Sequence, residues 1–142
     1  MKVEQLSIFL ENKAGRLAQV TKTLAEAGIN IRALSLADTS DFGILRLIVN
    51  DTEKAINIMK EAGFTVGRTA GFGVEVDDKP GGLNNILEAL SGQNVNVEYM
   101  YAFVQEGGGS ATMIFRFDRI DQAIEVLKAK NIPIIPADRI NG

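Results

Sequence analysis

The chain has no cysteine and no histidine among its 142 residues. Without thiols it forms neither disulfides nor thiolate metal sites, and a reducing compartment costs it nothing. Without imidazole it lacks the commonest general base and the commonest transition-metal ligand. Excess charge of one sign is missing too. Fifteen basic side chains against 18 acidic ones leave a net charge of −3, a poor match to a phosphate backbone. No apolar run approaches the roughly 20 residues of a membrane-spanning helix. The opening Met1-Lys2-Val3-Glu4-Gln5 enters an alternating strand directly and shows no signal-peptide pattern. The expectation is a cytoplasmic protein with no cofactor, no metal, no nucleic-acid partner and no membrane partner. Catalysis is disfavoured, although carboxylate and lysine chemistry stay open.

What the chain does contain is a repeat. Glu11-Asn12-Lys13-Ala14-Gly15-Arg16-Leu17 returns 66 positions later as Asp77-Asp78-Lys79-Pro80-Gly81-Gly82-Leu83. Each copy follows an apolar run and opens a stretch of helical periodicity. A second signature, Gly28-Ile29-Asn30-Ile31, returns as Gln93-Asn94-Val95-Asn96-Val97. Internal repetition of this kind defines the architecture before any single residue is interpreted.

In the first half, Leu6, Ile8 and Leu10 alternate as a strand, and Leu17, Val20, Thr21 and Leu24 recur at helical spacing up to Ala27-Gly28. Ile29, Ile31 and Ala33 alternate with Asn30, Arg32 and Leu34, leading to a turn at Asp38 to Asp41 and a return strand through Leu45, Leu47 and Val49. Asp51-Thr52 is an N-cap signal, Ala55, Ile56, Met59 and Ala62 share a helical face, Gly63 is a stop, and Phe64-Thr65-Val66 makes a short last strand. The second half repeats the order, from Phe72, Val74 and Val76 to a final strand at Ile132 to Ile135, with Asn131 as the stop and a hairpin tip at Gly107-Gly108-Gly109. The predicted fold is α+β. Two ferredoxin-like βαββαβ modules, residues 1–68 and 69–142, carry antiparallel sheets side by side with helices on one face. Gly67-Arg68-Thr69-Ala70-Gly71 is too short for a flexible tether, so a rigid connection is expected. Units of about 70 residues are marginal alone, so the halves are expected to pack on each other and on another copy. Leu34, Leu36, Met100, Ala102 and Val104 fall opposite the predicted helix-facing set, which points to a homodimer through sheet faces.

The loop between first strand and first helix carries the chemistry. A helix N-terminus presents unpaired N–H groups that suit a carboxylate, and glycine lets a ligand approach the backbone closely. Asn12 or Asp78 offers an oxygen to an ammonium, and Asn30 or Asn96 at the next strand entry offers another polar contact. That combination fits a free α-amino acid. The same residues are also ordinary turn and cap residues, and both readings stand at this point.

These motifs closely resemble the ACT domain, an amino-acid-sensing regulatory module, and two copies cover essentially the whole chain. The resemblance implies a ligand at the interface between adjacent modules, held by the loop before the first helix and by the second strand. The serine-sensing module of phosphoglycerate dehydrogenase is similar in using asparagines at both places, a role the resemblance carries onto Asn12 and Asn30. The implied ligand-binding set is Asn12, Lys13, Ala14, Gly15, Arg16 and Leu17 with Asn30 and Ile31. In the second copy it is Asp78, Pro80, Gly81, Gly82 and Leu83 with Asn96 and Val97. Arg16 is a candidate carboxylate clamp. The second copy departs, with Asp78 for the asparagine and Gly82 for Arg16, so an unequal site and a vestigial cap both stand as readings. The expected function is amino-acid sensing that regulates a metabolic enzyme in trans; the alternative is an assembly module without ligand. An acylphosphatase-like hydrolase on this scaffold is disfavoured because the chain has no clustered Arg-Asn loop, and RNA binding, which needs exposed aromatics and basic residues at fixed strand positions, is disfavoured by the acidic balance. Tyr99, Tyr101 and Phe103 form a strand-period stripe expected in a core, an interface or a pocket wall, and Glu75 is expected on the solvated strand face.

Overall fold

A computed structural model describes residues 2–38, 41–103 and 110–141. The centre of the Asp38 to Asp41 turn, Val104 and the Gly107-Gly108-Gly109 tip lie outside the described residues. The elements run β1 (Val3–Glu11), α1 (Arg16–Glu26), β2 (Ile31–Asp38), β3 (Phe42–Val49), α2 (Thr52–Glu61), β4 (Thr65–Asp77), α3 (Gly82–Leu90), β5 (Val97–Phe103), β6 (Ser110–Phe117), α4 (Ile120–Ala129), β7 (Ile134–Ile135) and α5 (Ala137–Asn141). The chain packs as two compact units, one built on residues 4–69 with Asn141, the other on Lys2, Val3 and residues 70–140.

In the first unit β1 and β2 both pair antiparallel with β3, and the order is β2-β3-β1-β4. Leu6, Ile8, Leu10, Leu45, Leu47 and Val49 point to one face and meet Val20, Leu24, Ala55, Ile56 and Met59 of the two helices. Side chains such as Leu24 and Met59 are fully buried, each contributing roughly 2 kcal/mol of hydrophobic stabilisation. Asp51 caps α2 by accepting from the Lys54 amide at 3.2 Å, as its place in the sequence predicts. The second unit repeats the plan in the order β7-β4-β6-β5, with Phe72, Val74, Val76, Phe115 and Phe117 against Ile86, Leu90, Ala123 and Leu127.

Gly67 to Gly71, expected to be too short for a flexible tether, lies inside the 13-residue strand β4. One expectation is corrected. Leu34, Leu36, Met100 and Ala102 are not opposite the helix-facing set. Leu34 pairs with Leu47, Leu36 with Leu45, Met100 with Phe115 and Ala102 with Met113, so all four share the helix-bearing face. The cause is a register shift between Ile31 and Ala33, repeated between Val97 and Tyr99. One extra residue in a strand turns every later side chain to the other face. On the sheet face away from the helices, α5 packs one side chain against the second unit. The Ile140 δ-methyl rests where a Cβ at Gly73 would be, beside Ile114 and Ile135.

Candidate functional site

The two repeated loops have the same backbone. Gly15 and Gly81 are helix N-caps with φ of 86° in both cases, a left-handed conformation that glycine adopts without steric cost. In each copy the lysine amide donates back across one residue, Lys13 to the Glu11 carbonyl at 2.8 Å and Lys79 to the Asp77 carbonyl at 2.9 Å. The first helical residue then donates to the lysine carbonyl, Arg16 at 3.3 Å and Gly82 at 3.0 Å. The amides of the next residues, Leu17 and Ala18 or Leu83 and Asn84, belong to the first turn, where a helix has no internal acceptor.

In the first unit this loop forms one wall of a crevice of about 210 Å³, lined by Leu10, Glu11, Asn12, Lys13, Arg16, Leu17, Leu36 and Gly43. Its lining combines apolar side chains with polar and charged ones, the usual composition of a small-molecule site. Asn12 is fixed through its backbone, which donates to the Asp41 carbonyl at 2.9 Å, and its side chain is exposed. Leu17 is 37% exposed and Leu36 51%. Leu36 and Gly43 were not expected at the site. They come from β2 and β3, and the register shift in β2 is what turns Leu36 toward the loop.

Glu11 organises the charges. Lys13 Nζ lies 2.9 Å from one carboxylate oxygen and Arg16 Nη2 donates to the other at 3.1 Å. Hydrogen bonds from Lys13 and then Arg16 hold the Glu11 carboxyl below its ordinary value. Arg16 Nη1 donates to Gln19 at 3.0 Å, and the guanidinium carbon stands 5.6 Å from the centre of the Phe64 ring. Arg16 is therefore held at Nη1 and Nη2 by the protein's own acceptors and lies near an aromatic face, while its buried Nε has no hydrogen-bond partner among the described residues. Ala14 is exposed at the loop apex.

Asn30 and Ile31 lie elsewhere. β2 runs parallel to β1, because both are antiparallel to β3, so its entry is at the sheet end opposite the loop. Ile31 pairs with Val49, whereas the loop adjoins Gly43. Seven strand residues separate the two ends, roughly 23 Å. The Asn30 backbone is locked, donating to Asn50 Oδ1 at 3.0 Å and accepting from the Asn50 amide at 3.2 Å. Asn96 and Asp118 reproduce that reciprocal pair at 2.8 and 3.1 Å. The Asn50 and Asp118 partners escape a motif-based reading, since each lies about 20 residues from the asparagine it holds.

In the second unit Asp78, Pro80 and Gly81 are exposed, Leu83 is 36% exposed, and Gly82 is buried. A Cβ at Gly82 would stand 2.0 Å from the Asp77 carbonyl oxygen, so the second loop closes more tightly than any side chain there permits. Val97 lines an open groove of about 510 Å³ with Leu87, Leu90, Asn94, Val95 and Phe117, close to Asn96. Tyr99 and Tyr101 stack at 6.4 Å on the face away from the helices, and Tyr101 is buried. Glu75 accepts from the Ser110 hydroxyl at 3.1 Å on that same face. Among the described residues no cluster of three metal-ligating side chains occurs, and no helix is long and apolar enough to cross a membrane.

Comparison with known proteins gives this geometry a context. A family model described as an ACT domain pair matches residues 1–141. The crystal structure of protein BT0572 from Bacteroides thetaiotaomicron is 42% identical, with a TM-score of 0.92 over 99% of this chain and 96% of that one. The ligand-free regulatory subunit of aspartate kinase from Thermus thermophilus is 16% identical, with a TM-score of 0.63 over 89% of this chain and 91% of that one. Its counterpart from Thermus flavus is 14% identical, with a TM-score of 0.61 over 89% and 90%. At such identities the likeness is one of fold. No curated protein matches the chain.

Proposed function

Since the chain belongs to the ACT domain-pair family, we propose that it is a non-catalytic regulatory protein that senses a free amino acid and acts in trans on a metabolic enzyme of the cytoplasm. The observation that carries this reading is the crevice at Asn12, with its mixed apolar and charged lining and a left-handed glycine at a helix N-terminus that has no side-chain cap. A zwitterion suits it: the carboxylate approaches the first-turn amides of α1, the ammonium meets the Asn12 amide oxygen, and the side chain lies on Leu17 and Leu36. The fold also occurs in the regulatory subunit of aspartate kinase, whose function as a separate subunit supports action in trans.

Asn30 joins this site only from a second copy. A ligand of about ten heavy atoms cannot span the roughly 23 Å along one β2 edge. A two-fold axis beside that edge brings the loop end of one chain against the strand entry of the other. We therefore propose a homodimer in which Asn12 and Lys13 of one copy face Asn30 and Ile31 of its partner. Asp78 to Leu83 with Asn96 and Val97 form the second, unequal site of the same kind.

Micromolar binding by such a ligand requires roughly 0.8 kcal/mol per heavy atom, within the usual ceiling. A thermal-shift screen of the common free amino acids should show one that raises the melting temperature of the wild type. Asn12→Ala and Asn30→Ala should each reduce that shift. No shift with any amino acid would leave the assembly-module reading, which the exposed Leu17, Leu34 and Leu36 favour.

A further inference from the structure

The first unit shows how this scaffold seats a guanidinium. Arg16 places one behind the loop, where Glu11 accepts from Nη2, Gln19 accepts from Nη1, and Phe64 supports its face. The positions equivalent to those three are fixed in the second unit by matching backbone hydrogen bonds. Asp77 stands for Glu11, since its carbonyl accepts from Lys79 as the Glu11 carbonyl does from Lys13. Asn85 stands for Gln19, each amide donating to the capping glycine carbonyl, at 2.9 and 3.0 Å. Ile132 stands for Phe64, each amide donating at 3.0 Å to the helix before it after a left-handed stop at Asn131 or Gly63.

The arginine alone has no counterpart. Its position is Gly82, and the Asp77 carbonyl oxygen excludes even a Cβ there. In the space where a guanidinium would lie, the second unit has a cavity of about 190 Å³, lined among others by Asp77, Gly82, Asn85 and Ile132. Lys79 approaches the Asp77 carboxylate at 3.7 Å, against 2.9 Å for Lys13 and Glu11, so the carboxylate is less firmly engaged.

We infer that this cavity binds the guanidinium group of a small molecule, in the place that Arg16 occupies in the first unit. The ligand donates to the Asp77 carboxylate and the Asn85 amide oxygen and lays its planar face on Ile132. A planar donor fork matches this acceptor pair, whereas an ammonium, compact and strongly hydrated, does not. The site belongs to the second unit and the Asn12 crevice to the first, and it does not depend on amino-acid sensing there.

The test is a titration of the full-length 15N-labelled chain with methylguanidinium chloride, set against methylammonium chloride at equal ionic strength. Saturable amide shifts at Gly82, Asn85 and Ile132 are expected with methylguanidinium, at concentrations at least tenfold below any response to methylammonium. Asp77→Asn should weaken that binding at least tenfold with the rest of the amide spectrum unchanged, and Asn85→Ala serves if that variant does not fold. The inference is overturned by unsaturable or absent shifts in the wild type, by an equal response to methylammonium, or by undiminished binding in a folded variant.

Discussion

Gly15 and Gly82 occupy adjacent places in the two copies of one loop, yet they are glycine for different reasons. At Gly15 the constraint is conformational: φ is 86° and an added Cβ would meet nothing within 4 Å. Gly15→Ala should therefore cost only the left-handed backbone penalty, about 1–2 kcal/mol, and lower the melting temperature by a few degrees. At Gly82 the constraint is space, because an added Cβ would overlap backbone. Gly82→Ala should lower the melting temperature more than Gly15→Ala, and a scan of the two purified variants decides it. The Gly15 role was legible in the sequence because the glycine recurs at a helix start. The seating of Arg16 was not legible, since its aromatic support, Phe64, enters from beyond the second helix.

At the scale of elements, the repeated register shift decides what the edge strands present. A strict alternation through β2 puts Leu34 and Leu36 on the wrong side, and nothing at Arg32 or Glu98 marks the extra residue. The shift becomes visible only when the partner strand supplies a register. The short helix α5 was likewise missed: Ala137–Asn141 is too brief to show periodicity, and its role depends on Gly73, more than 60 residues earlier in the chain. There Ile140 Cδ1 would lie 2.4 Å from a Cβ on residue 73. Gly73→Ala should destabilise the protein by about 1–3 kcal/mol through overpacking. Ile140→Val removes the clashing methyl, so Gly73→Ala should cost much less in that background. Urea denaturation of the four variants measures the coupling, and strictly additive costs would contradict the contact.

For the molecule as a whole, β2 ends the sheet of the first unit and leaves Leu34 and Leu36 on its helix-bearing side, 45% and 51% exposed. Exposed leucines on an edge strand beside a charged crevice fit the proposal that a second copy attaches there. Leu36→Glu should leave the folding stability of the isolated chain within about 0.5 kcal/mol. It should also shift sedimentation toward the monomer and abolish the melting-temperature response to the amino acid. A dimer that persists in Leu36→Glu would place the contact elsewhere. The sequence alone determined the βαββαβ order, the helix caps at Asp51 and the loop glycines, and the stops at Gly63 and Asn131. Each of these follows from local backbone energetics, which act over a few residues and are written in them. Only the tertiary structure decided which leucines face the crevice, that β4 runs through without a linker, that Arg16 is seated on Phe64, and that Asn12 and Asn30 stand at opposite ends of one sheet. Those facts depend on strand register and on contacts between residues distant in the chain, and a one-residue shift reverses them without any local sign in the sequence.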